Sequence, residues 1–199
     1  PASARVISYD LDGNELWSLK GMSSITIATP YSQNGLLYLS SGYVGDKLRP
    51  LYAIRPGASG DISLKAGQDH NDFIAWSNPT IATYNPTTLV YDKYLYVLHD
   101  RGFLVCYDAL TGREVYPKQR LEIGGRGGFT ASPWACGGKV YCLSESGLTT
   151  VIAAGPEFKV LASNALDDTC MSTPAITPDS FIIRTAGKLY RIKNGAAGN

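Results

Sequence analysis

The chain has 199 residues, with 18 Lys+Arg against 17 Asp+Glu for a formal net charge of +1, and 44% of it is hydrophobic against 18% charged. This composition excludes a disordered chain and a coiled coil, and the near-zero charge balance argues against an electrostatic nucleic-acid binder. The 21 Gly, 11 Pro and 13 Tyr point to many turns between aromatic-rich strands, as in an all-β fold of one domain or two small ones.

In chain order, residues 5–10 and 15–19 read as two strands joined by the turn Leu11-Asp12-Gly13-Asn14. A unit then begins that recurs four times. It opens on a small residue and Pro, followed by a short strand, a turn and an apolar strand that contains Tyr in the first three copies. The first copy has Ala28-Thr29-Pro30, the turn Asn34-Gly35 and the strand 36–40. A third strand follows at 50–54, then a long polar insertion at 55–71 and a fourth strand at 73–76. The second copy has Tyr84-Asn85-Pro86, Asp92-Lys93 and strands at 94–98, 102–108 and 113–116, with Thr111-Gly112 in its last turn. The third has Ala131-Ser132-Pro133, Gly137-Gly138 and strands at 139–143, 148–152 and 158–161. The fourth has Ser172-Thr173-Pro174, Pro178-Asp179 and strands at 180–184 and 188–192, and residues 194–199 then stop it without a fourth strand.

Four-stranded units at this period predict the blades of a β-propeller. The expected division is a partial blade at 1–20, blades at 21–77, 78–122 and 123–166, and a partial blade at 167–193. The glycine-rich run 124–128 falls in a link between blades, and lacks both the glycine frame and the following helix of a dinucleotide loop. Residues 5–10 and 188–192 both read as third strands, so the two ends do not complement each other as one blade. Exposed end faces of this kind drive association, and the expectation is a homodimer that completes a ring.

Chemistry-bearing groups are sparse. Cys106, Cys136, Cys142 and Cys170 form no CxxC pair and read as buried thiols, with Cys136 and Cys142, across a Gly-Gly turn, the one disulfide pairing to test. Asp10-x-Asp12-Gly13-Asn14 begins like a calcium loop but lacks the Glu that would close it. Asp167-Asp168 reads as an exposed loop. His70 and His99 have no nucleophile motif to serve. No catalytic, cofactor or metal residue is therefore assigned. Tyr43, Arg49, Arg101 and Arg126, in predicted loops and of types enriched at binding hot spots, are the candidate interaction surface. No run is apolar for the ~20 residues a membrane span needs, and no signal peptide is visible.

The turns Tyr9-Asp10 to Trp17 and Tyr107-Asp108-Ala109-Leu110-Thr111-Gly112 to Tyr116 resemble the tryptophan-docking motif of the quinoprotein-like repeat. The segments 36–62 and 128–134 are similar to the bacterial PQQ-binding-like, BamB-like propeller proteins. The resemblance implies that Trp17, Trp76 and Tyr116 dock each blade on its neighbour, with Leu161 near that place in the third full blade. It implies a C-terminal half of a secreted seven- or eight-bladed protein, hence a periplasmic or otherwise extracytoplasmic location. Dehydrogenases of the wider family would carry a quinone, a Ca²⁺ ion and a vicinal cysteine pair, and no adjacent cysteines occur here. The functional expectation is a non-enzymatic scaffold that binds a protein partner. The alternative is a propeller that takes a small molecule or carbohydrate in its central channel, hydrolytic or quinone-dependent.

Overall fold

Alternating apolar residues punctuated by Gly, Asn and Asp build strands, and the computed structural model, which describes residues 1–193, arranges them in five sheets. The first holds β1 (Arg5–Tyr9) and β2 (Glu15–Lys20). The second holds β3 (Tyr31–Gln33), β4 (Leu36–Ser40), β5 (Leu51–Ile54) and, after β6 (Gly60–Asp61), β7 (Ile74–Asn78). The third is β8 (Leu89–Tyr91), β9 (Tyr94–His99), β10 (Phe103–Asp108) and β11 (Glu114–Arg120). The fourth is β12 (Trp134–Cys136), β13 (Lys139–Leu143), β14 (Leu148–Ala153) and β15 (Val160–Ala165). The fifth is β16 (Ala175–Ile176), β17 (Ser180–Arg184) and β18 (Leu189–Lys193). Whether a fourth strand follows β18 lies outside the described residues.

The insertion at 55–71 is not a free loop. Its β6 pairs in parallel with β2, placing Trp17 opposite Gly60 and Ser18 opposite Asp61. The Ile62 N–H donates to the Ser18 carbonyl at 2.9 Å, and the Ile62 side chain is buried with Trp17, Leu19 and Met22. Lys20 and Asp61 form an exposed ion pair at 2.9 Å across the same edge. The insertion thus covers the outer edge of the first sheet, which would otherwise offer unpaired backbone groups.

Each third-to-fourth hairpin carries a register shift at the same place. It falls after Ser8 opposite Trp17, after Ala53 opposite Trp76, after Cys106 opposite Tyr116 and after Val151 opposite Ala162. A bulge adds one residue and turns the strand, so it fixes which side chain faces the next sheet. In the fourth sheet that residue is Ala162, not Leu161. All of β15 is exposed, as expected of a docking position that carries no ring.

Each apolar core lies between consecutive sheets. Trp17 packs with Leu39, Tyr52, Ile54 and Ile74 of the second sheet. Trp76 packs with Val105, Tyr107 and Ala109 of the third. Tyr116 packs with Val140, Cys142 and Ile152 of the fourth. The seam from the fourth sheet to the fifth is filled from the inner strands instead. Trp134 stacks on Tyr141 at 5.3 Å, and the Phe181 ring stands edge-on to both.

A second seam runs along the first strands. The Thr29 N–H donates to the Thr87 hydroxyl at 3.0 Å, 58 residues on. The Thr87 N–H donates to Ser132 Oγ at 2.9 Å, 45 residues on, and the Ser132 N–H to Thr173 Oγ1 at 2.9 Å, 41 residues on. This series corrects the alignment of the second repeat. Thr87-Thr88, not Asn85-Pro86, stands where the others carry a hydroxyl residue and Pro, because the hydroxyl makes the contact and the ring does not.

Candidate interaction face and inter-sheet cleft

Because successive strands are antiparallel, the turns within the first and last strand pairs lie at one end of every sheet and the second-to-third loops lie at the other. The docking side chains belong to the first end. The Trp76 ring lies on Gly112, where a Cβ would stand 2.6 Å from it and where φ is +69°. Both Trp76 Nε1 and the Tyr38 hydroxyl donate to the Ala109 carbonyl at 2.9 Å. In the next seam Tyr116 meets Phe158 edge-on at 6.0 Å, and the Gly155 N–H donates to the Tyr96 hydroxyl at 2.9 Å. Trp17 borders the turn Pro56-Gly57-Ala58 of the second sheet. These residues hold the sheets together, with the buried Tyr116 hydroxyl left without a hydrogen-bond partner among the described residues.

The turn carboxylates are occupied by their own backbones. Asp10 accepts from the N–H groups of Asp12 and Asn14 and from Asn14 Nδ2, and the Asn14 contacts hold its carboxyl below the usual carboxylate range. Asp108 accepts from Leu110 N, Thr111 N and the Thr111 hydroxyl. The calcium-like start at Asp10 is therefore a side-chain-capped hairpin turn.

At the opposite end, in each of the second to fifth sheets, one acidic side chain joins the second-to-third loop to the chain leading into that sheet. Asp46 accepts from the Ser23 hydroxyl and the Ser24 N–H, each at 2.6 Å, and these bonds, the hydroxyl first, lower its pKa. Asp100 accepts from the N–H groups of Tyr84 and Asn85 at 3.0 and 2.8 Å. Glu145 accepts from Gly128 N and the Thr130 hydroxyl at 3.1 and 2.7 Å. In the fifth sheet the roles reverse. Asp168, on the leading segment, accepts from the Thr185 hydroxyl and Gly187 N at 2.7 and 2.8 Å, the hydroxyl bond being the main cause of its lowered pKa.

Tyr43, Arg49 and Arg101 share this end. The Tyr43 ring leans on Tyr84 of the third sheet's leading segment at 5.5 Å. Arg49 and Arg101 come together along one cleft of about 540 Å³ between the second and third sheets. His99, Lys118 and Glu114 of the third sheet also line it. Arg126 sits apart, in a shallow hollow with Glu145, Asp167 and Asp168. His99 is held neutral: burial first, then the charges of Lys118 and Arg49, bring its pKa from 6.5 down to about 4. His99 and Lys118 were not among the sequence candidates. For Lys118 the sequence signal is Pro117 inside an apolar-polar strand, beside the register shift of β11.

The remaining titratable groups stand elsewhere. His70 pairs with its neighbour Asp69 at 2.6 Å on the surface. All four cysteines are free. Cys136 and Cys142 are not bonded, because Cys142 is buried against the third sheet with Cys106 while Cys136 meets the Tyr141 hydroxyl at 3.8 Å. Burial raises the Cys106 and Cys142 thiols to about 12.

Comparison with solved structures decides the architecture. BamB from Moraxella catarrhalis superposes over 99% of this chain and 66% of its own at a TM-score of 0.50 and 10% identity. The fold is a β-propeller. A europium-containing methanol dehydrogenase matches 68% of this chain with 24% of its own, at a TM-score of 0.51 and 14% identity. The computationally designed Ika4 protein matches 90% of this chain with 99% of its own, at a TM-score of 0.63 and 13% identity. The chain therefore spans about a quarter of the dehydrogenase and about two thirds of BamB. No protein-family model and no curated protein sequence matches it. The five sheets are propeller blades, and a fold that serves both a dehydrogenase and BamB does not by itself assign an activity.

Proposed function

We propose that this propeller segment is a non-enzymatic scaffold that binds a protein partner in the bacterial cell envelope through the end formed by its second-to-third loops. The observation that carries this reading is a division of labour at that end. The carboxylates Asp46, Asp100, Glu145 and Asp168 are engaged in fastening loops. Tyr43, Arg49 and Arg101, whose residue types anchor interfaces, stand on adjacent loops rigidified by those bonds. An extracytoplasmic setting is supported by the repeat's likeness to BamB. Trp17, Trp76 and Tyr116 serve the blades themselves.

Incubation with pyrroloquinoline quinone and Ca²⁺, followed by exhaustive dialysis and an absorbance spectrum, tests the reading against quinone catalysis. The expected spectrum retains no stoichiometric quinone. One quinone kept per chain overturns the scaffold.

A further inference from the structure

Between the second and third blades the apolar seam gives way to a polar cleft. Val105 and Tyr107, which pack with Trp76 in the seam, also line the cleft, so one floor serves both. Ile81 and Phe103 line the cleft as well, together with Arg49, His99 and Lys118. About 540 Å³ is within the usual size of a small-molecule site.

The cationic groups are set in place rather than scattered. The Arg49 N–H donates to the Pro79 carbonyl at 2.8 Å and the Arg49 carbonyl accepts from the Ala82 N–H at 2.9 Å, which ties its backbone to the link between the two blades. Its Nε is buried with no hydrogen-bond partner among the described residues. A buried guanidinium N–H without an acceptor is costly, and the same side chain lines the cleft. Lys118 stands over the Phe103 ring at 5.4 Å, with the Arg120 guanidinium over the same ring at 4.8 Å. Of the acidic side chains lining the cleft, Asp100 is engaged by two backbone N–H groups, and Glu114 lies opposite Tyr107 on the strand pair. Among the lining side chains Arg49, Arg101 and Lys118 outnumber Asp100 and Glu114 by one, and Arg120, over the Phe103 ring, adds a further positive charge.

We propose that this cleft binds a small organic acid, its carboxylate held by Arg49 and Lys118, its body against Phe103 and Ile81, and the His99 ring beside it. The apolar side chains of Ile81 and Phe103 call for an organic body, which inorganic phosphate lacks, and a guanidinium suits a carboxylate. The site lies in the seam between two blades. It goes beyond the scaffold reading and is tested without any protein partner.

The experiment is calorimetric titration of the 199-residue chain at low ionic strength with benzoate, glucuronate and inorganic phosphate as separate probes. The His99 imidazole resonances are followed by NMR in parallel. Saturable binding of benzoate or glucuronate with a shift of the His99 signals is expected. Arg49→Gln and Lys118→Gln should each weaken it by about tenfold or more, the loss of one charge-assisted hydrogen bond. Lys118 lies on an exposed strand position, so its variant carries the test if Arg49→Gln misfolds. Phosphate binding without binding of either acid overturns the assignment. So does the absence of saturation at millimolar acid, or binding that both folded variants keep.

Discussion

At the scale of single residues, the seams are held by a few rings that each meet one backbone position. Trp76 fills the space above Gly112 and donates to Ala109, so Trp76→Ala removes a buried ring and a hydrogen bond together. The expected cost is about 3–5 kcal/mol, read as a fall in the denaturant midpoint; an unchanged midpoint would remove Trp76 from the seam. His99 gives the pH dependence of stability. Its folded pKa of about 4 lies below the ordinary 6.5, so between these values the unfolded chain holds more protons than the folded one. Stability is therefore full above about 6.5 and declines as the pH falls toward 4. His99→Gln should flatten the decline in that window in urea titrations at several pH values, whereas the lowered carboxyls of Asp46 and Asp168 add their loss at lower pH. An equally steep decline in the variant contradicts the neutral, half-buried imidazole.

At the scale of elements, the two edge and seam devices make opposite demands on their side chains. For β6, the buried Ile62 does the holding and the exposed Lys20–Asp61 pair adds little. Ile62→Ala should cost about 2–5 kcal/mol and Lys20→Ala should leave the melting temperature nearly unchanged; the reverse ranking would mean the insertion is held by charge. For the hydroxyl series, Thr87→Val and Ser132→Ala leave an N–H of the preceding blade without its acceptor. Because these N–H groups are exposed or only partly buried, each should cost about 0.5–1.5 kcal/mol, while Thr87→Ser keeps the oxygen and the stability. What the sequence reveals at this scale is instructive. Strands and turns are legible because alternation and Asn-Gly, Gly-Gly and Thr-Gly pairs encode them locally, as at 34–40 and 137–143. Apart from the one that Pro117 marks in β11, bulges are not, because the extra residue leaves no local mark. Leu161 therefore looks like the docking residue until the register puts Ala162 there. The two-residue β6 is illegible for another reason: Gly60-Asp61 has no strand propensity, and burial of Ile62 in another sheet supplies the pairing energy. The cleft needs Arg49 and Lys118 from different blades, a proximity that only the fold creates.

For the whole molecule, the first and last blades bear the consequences. Leu16 on the first and Leu189 and Ile192 on the last are exposed, Leu189 to 71%. Apolar faces of this kind favour association, and the isolated 199-residue chain is expected to pair head to tail into a closed ring. Light scattering of a dilute sample should give the mass of two chains, and a stable single-chain mass contradicts pairing. The working face is a separate matter, because the second-to-third loops and the docking turns lie at opposite ends of the same strands. The most direct measurement is affinity capture from cell-envelope extract with three baits of equal stability: the native chain, Arg49→Glu/Arg101→Glu on the loop end, and Leu110→Asp on the turn end. The scaffold account predicts one protein retained by the native chain and by Leu110→Asp and lost by the double arginine variant. Retention by the arginine variant, or loss in Leu110→Asp alone, would contradict it.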